Sequence, residues 1–129
     1  MRMIIACLLV GLYMVMVGCA TNKPANPVSM ERSWEYIGTN SDNNKAFIDP
    51  KTLTYSGSIV KCAWRGVATR NGAEALGQIE VDCLNNQVRF VNRRQYDRNH
   101  RDLGPMSDSG WSPIVADSLY NKISQKYCR

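Results

Sequence analysis

Hydrophobic and polar residues change rhythm three times along this chain. Met3 to Val17 is apolar throughout except for Gly11. Between 33 and 96 apolar and polar positions mostly alternate, the two-residue period of strands with one buried face. Near the end Leu119, Ile123 and Tyr127 recur every fourth residue, which predicts an amphipathic helix over 117–128 with Asp117 as its N-cap.

Within the alternating region, Ser33-Trp34-Glu35-Tyr36-Ile37-Gly38 reads as a strand, and Ala46-Phe47-Ile48-Asp49-Pro50 as a short one stopped by its proline. Residues 39–44 read as a polar loop and Tyr55-Ser56-Gly57 as a turn. A long strand is expected over 59–69, with Val60, Cys62, Trp64 and Ala68 on one face and Lys61, Ala63, Arg65 and Val67 on the other. After the Asn71-Gly72 turn signal, 76–84 alternates again, with Ile79, Val81 and Cys83 opposed in face to Gln78, Glu80 and Asp82. Pairing in which opposed numbers sum to 145 sets Trp64 against Val81, Arg65 against Glu80 and Cys62 against Cys83. That register matches apolar with apolar and charged with charged, although a two-residue shift keeps the same faces. Asn85-Asn86 makes the next turn, 87–96 a further strand and 102–110 a Gly/Ser/Pro loop. The expected class is α+β: an antiparallel meander of about five to six strands with one C-terminal helix packed on it.

The leading apolar run is too short to span a bilayer, which takes roughly 20 residues, and fits a signal-peptide core behind the single charge of Arg2. It ends in Val17-Gly18-Cys19-Ala20, which resembles a bacterial lipobox and makes Cys19 the acylated, palmitate-bearing N-terminus. The alternative is an ordinary secretory signal cleaved near Ala20. At about 0.8 kcal/mol per buried CH₂, two or more acyl chains anchor firmly where one does not. Ala20 in place of Asp implies the outer membrane by analogy with enterobacterial sorting. The expected organisation is a signal over 1–18, a lipidated N-terminus and Pro-containing tether over 19–30, and a domain over 31–129.

Composition then separates into two populations. The whole chain of 129 residues is 44% hydrophobic and carries +5, but its first 18 residues hold 15 of the hydrophobic ones. The charge persists in the mature chain, at 15 basic against 11 acidic residues. Of five cysteines, Cys7 leaves with the signal and Cys19 is acylated, so Cys62, Cys83 and Cys128 remain for an oxidising compartment. Geometry alone permits 62–83, 62–128 or 83–128. Cys83–Cys128 is favoured because it pins a short terminal helix, at about 4 kcal/mol in the chain-entropy account, and it leaves Cys62 as a buried thiol.

The segments Trp34-Glu35-Tyr36-Ile37, Phe47-Ile48-Asp49, Gly57, Trp64, Ile79-Glu80-Val81-Asp82-Cys83, Tyr96, Trp111, Ile114, Ser118 and Cys128 together resemble the surface-adhesin protein E-like family of bacterial outer-membrane lipoproteins. The resemblance covers nearly the whole mature domain. It implies a curved antiparallel sheet whose C-terminal helix is tethered by a disulfide, which supports the 83–128 pairing. It also implies a homodimer and a cell-surface, virulence-related adhesin binding host matrix and plasma proteins such as laminin, vitronectin and plasminogen.

The positive charge concentrates over 89–101, where Arg89, Arg93, Arg94, Arg98 and Arg101 face a single acid, Asp97. This is a candidate anion-binding patch for lipopolysaccharide phosphates, sulfated glycans or acidic protein segments, weighed against a solvated strand whose charges block edge pairing. Export argues against nucleic acid as a partner. His100 has no neighbouring Cys, His or Asp at ligand spacing, and no nucleophile frame is present, so no catalytic, metal or cofactor site is expected. Trp64 is expected in the core with Trp34, and Trp111 partly exposed beside Met106 as an interface candidate. The leading expectation is a non-enzymatic, membrane-anchored binding module. Behind it stand a periplasm-facing accessory or structural lipoprotein of an envelope assembly and, lower, an inhibitor of host lysozyme, whose basic charge a +4 partner repels.

Overall fold

Two-residue alternation gives rise to one antiparallel sheet. A computed structural model describes residues 32–129; the apolar leader, Cys19 and the tether lie outside the described residues. The strands are β1 (Glu35–Thr39), β2 (Asn44–Ser56), β3 (Ile59–Ala68), β4 (Glu74–Asp82), β5 (Gln87–Tyr96), β6 (Asp102–Pro105) and β7 (Ser112–Pro113), followed by helix α1 (Leu119–Tyr127). Strands β1 to β6 lie side by side in chain order, and β7 pairs with β5. The strand count is therefore seven rather than five or six, because the stretch expected as one loop contributes β6 and the chain after it contributes β7.

The two faces of the sheet divide as the alternation requires. Ala46, Ile48, Val60, Cys62, Trp64, Ile79, Val81 and Val88 form the core face, which α1 covers with Leu119 and Ile123. The other face is charged and internally paired. Arg65 donates to Glu74 at 2.8 Å, Arg89 pairs with Glu80, and Lys61 lies 4.0 Å from Glu80.

The β3–β4 register differs from the expected one. Val60 opposes Val81, Cys62 opposes Ile79, Trp64 opposes Gly77 and Arg65 opposes Leu76, so opposed numbers sum to 141. The turn sets it: Ala68 and Ala73 close a four-residue loop, in which Gly72 alone is left-handed at φ 72°, so opposed numbers sum to 141. Each partner is displaced by four residues, an even number, so every side chain keeps its face.

Pro50 does not stop its strand. It sits where β2 has run beyond its pairing with β1 and is out of step with β3 between Asp49 and Thr54, so its missing N–H is not needed. Thr52 bridges the gap: its hydroxyl donates to the Asp49 carbonyl at 2.7 Å and accepts from Ala63 N–H at 2.8 Å. Likewise Asp117 is not the helix cap. Ser118 occupies that position without a side-chain cap bond, and the Asn121 amide donates to the Ala116 carbonyl at 2.7 Å beneath it.

Cys83 and Cys128 are joined by a disulfide, with Cα atoms 5.5 Å apart, and Cys62 is a buried free thiol. The register explains the choice. Cys62 is occupied by Ile79 across the ladder, while Cys83 lies just past the end of β4, beside the last residue of the helix.

Candidate functional site

The sequence singles out the arginines of 89–101, and the structure distributes them over different surfaces. Arg89 lies on the charged face, paired with Glu80 and stacked 4.5 Å from the centroid of the Trp111 ring. Arg94 is on that face too, 2.8 Å from Asp102. Asp102 is held below its ordinary carboxylate range chiefly by this hydrogen bond, and Arg94 is raised by the same contact. Arg98 and Arg101 are exposed at the β5–β6 turn, with Arg101 3.6 Å from Asp97. Asp97 is lowered first by accepting the Arg101 backbone N–H, which ties the turn. His100 is exposed in the same turn at φ 62°, and no group of His, Cys, Asp and Glu among the described residues could hold a metal ion.

Arg93 belongs to the opposite face. The β4–β5 ladder shifts between Leu76 and Gln78, and Asn92 adopts a left-handed φ of 53°. Such a bulge inverts the alternation of the strand beyond it, so Phe90 and Gln95 both face the core side although their numbers differ in parity. The guanidinium of Arg93 lies 5.4 Å from the Phe90 centroid and donates to the Ser107 carbonyl at 2.8 Å. The five arginines thus form no single patch.

What the bulge creates instead is an aromatic cavity of about 370 Å³ on the core face, beyond the N-terminal end of α1. Trp64 and Phe90 stack with centroids 4.8 Å apart, and Phe90 meets Tyr120 edge-on at 5.2 Å. Gly66 lines it, and Gly77 lies under the Arg93 stem. A methyl at Gly66 would come within 2.6 Å of the Trp64 ring, and one at Gly77 within 2.7 Å of Arg93 Cγ. The Tyr120 phenol is raised above its ordinary value chiefly by burial, with Trp64 and the Arg93 charge opposing that rise. Met106 lines the cavity as well, and Trp111 is partly buried under Arg89 outside it. Alternation places Trp64 correctly in the core, but it carries no sign of the Asn92 bulge, so Arg93 and Tyr120 were not legible as neighbours.

No protein-family model, curated protein or solved structure matches the chain.

Proposed function

We propose that this chain is an outer-membrane lipoprotein anchored through acylated Cys19, and that its β-domain is a non-enzymatic binding module acting as an adhesin for host matrix or plasma proteins. The observation that supports export is the Cys83–Cys128 disulfide, a bond that persists in oxidising compartments and is reduced in a typical cytosol. It follows an apolar run that ends in Val17-Gly18-Cys19, the order a lipoprotein signal requires. The adhesin reading rests on the resemblance of the Trp34–Cys128 segments to the protein E-like family.

Metabolic labelling with palmitate tests the anchor: wild-type chain incorporates label and Cys19→Ser does not. Protease shaving of intact cells tests the adhesin. Cleavage of the domain in intact cells, together with retention on immobilised laminin, vitronectin or plasminogen, supports it. Protection until the outer membrane is permeabilised transfers the assignment to a periplasm-facing accessory lipoprotein.

A further inference from the structure

The aromatic cavity is bordered by buried hydrogen-bond donors without partners. Trp64 Nε1 and Arg93 Nε are fully buried and complete no hydrogen bond among the described residues. Trp64 and the Arg93 charge both act on the Tyr120 phenol. An indole N–H and a guanidinium can only donate, so both can meet an acceptor oxygen placed beside that phenol. Lys45 adds a second cation at the wall, and neither it nor Arg93 forms an ion pair among the described residues. The one carboxylate residue of the lining, Glu74, is bound to Arg65 at 2.8 Å through Oε1, while its Oε2 is buried without a hydrogen-bond partner among the described residues.

Trp64, Phe90, Leu119 and Met106 give the cavity its apolar wall. Its volume is near the lower end for small-molecule sites, which run from about 300 to 1,000 Å³. Gly66 in the lining leaves room for the Trp64 indole, and Gly77, outside the lining, leaves room for the Arg93 stem.

We propose that this cavity binds a small organic carboxylate with a flat apolar body, its anionic end meeting Arg93 and the Tyr120 hydroxyl and its body lying against Trp64 and Phe90. The site is separate from the anchor and goes beyond the adhesin reading. A carboxylate supplies the acceptors that the donors lack, and the aromatic faces remove the body from water.

Isothermal titration of the full chain in lipid nanodiscs, with empty discs as blank, tests this with phenylacetate as the probe. Benzyl alcohol supplies the ring without the charge, and acetate the charge without the ring. Saturable binding of one phenylacetate is expected, weakened roughly tenfold or more in Arg93→Gln, a few-fold in Tyr120→Phe, and unchanged in Arg89→Gln on the opposite face. Both comparators should bind at least about tenfold more weakly than phenylacetate. Absence of saturable heat up to roughly 10 mM phenylacetate overturns the proposal. So does acetate binding as well as phenylacetate, which would mark a bare anion site, or loss of binding in Arg89→Gln with Arg93→Gln unaffected. If Arg93→Gln loses the circular dichroism of the native sheet, Tyr120→Phe decides alone, and affinity equal to wild type in that variant refutes the site.

Discussion

Replacing Cys83 and Cys128 together by Ser removes a crosslink that closes a 45-residue separation. In the chain-entropy account the unfolded chain then gains roughly 13 cal/mol/K, or about 4 kcal/mol at 25 °C. Both cysteines are only partly buried, so two hydroxyls add little desolvation of their own. Against a typical stability of about 5–15 kcal/mol this is a large share. The remaining ties of α1 are modest. They include the burial of Leu119 and Ile123, the Phe90–Tyr120 ring contact, the Lys122 ammonium donating to the Ile37 carbonyl at 3.3 Å, a Tyr55 hydroxyl donating to the Tyr127 carbonyl at 3.1 Å, and an exposed Lys126–Glu35 pair at 3.0 Å. A nine-residue helix is below the length that holds together alone in water, so its amides should exchange faster than those of β3 and β4 once the bond is gone. Urea unfolding followed by circular dichroism measures the total. The expected loss is about 4 kcal/mol, with a melting point roughly 15–30 °C lower for a domain of this size. A loss below about 1 kcal/mol would refute the argument that the bond acts by restricting the unfolded chain.

Three further outcomes follow from particular side chains. The Cys62 thiol is pushed up to about 12, first by burial and then by the Asp49 charge, so at pH 8 only roughly one molecule in ten thousand carries the thiolate. Its alkylation by iodoacetamide should therefore track unfolding, and labelling of the native protein at the rate of a free thiol contradicts the burial. Asp82 is lowered first by the Asn85 side chain and then by the Asn85 and Leu84 N–H groups and the Ser58 hydroxyl; Asp97 and Asp102 are lowered as well. Groups depressed on folding stabilise above their unfolded value of about 3.9, and that contribution is lost as pH falls through the folded values. Melting temperature should hold from pH 7 to about 5 and drop below about 4, and Asp82→Asn should flatten part of the drop; an unchanged acid limb in that variant removes Asp82 from the account. Gly77→Ala places a methyl 2.9 Å from Arg93 Cα and 3.0 Å from the Val91 carbonyl, both backbone atoms, whereas Gly110 has nothing within 4 Å. The first substitution should cost about 1–3 kcal/mol by chemical denaturation and Gly110→Ala close to nothing, and equal effects would dismiss the crowding argument.

The electrostatics of the two sheet faces have different consequences. Glu80, held by Arg89 and Lys61, and Glu74, held by Arg65, make a lattice of ion pairs whose cations are already occupied. On the core side a bulge turns one arginine of the same basic run toward the Phe90 ring, where it forms no ion pair among the described residues. A run of like charges in sequence is therefore a poor guide to a binding surface when strands alternate and a bulge resets the phase.

The sequence by itself determined which residues face the core, because the two-residue period survives any even shift of register: Val60, Cys62, Trp64, Ile79 and Val81 are on the buried side at a sum of 141 as they would be at 145. It determined the helix as well, since Leu119, Ile123 and Tyr127 mark one stripe, and it reduced the disulfide to three pairings. Register itself was decided by the tertiary structure, through the four-residue loop that Gly72 closes. With it came the disulfide, because the displacement moved Cys83 away from Cys62 and out to the end of the helix. Local pattern also missed Pro50, whose missing N–H is harmless only because β1 has ended and β3 is out of step there. The aromatic cavity was least legible of all. It depends on a left-handed Asn92, Gly66 beneath the Trp64 ring and the N-terminal turn of a helix that begins 27 residues after Asn92, and no hydrophobic period records how such distant positions meet.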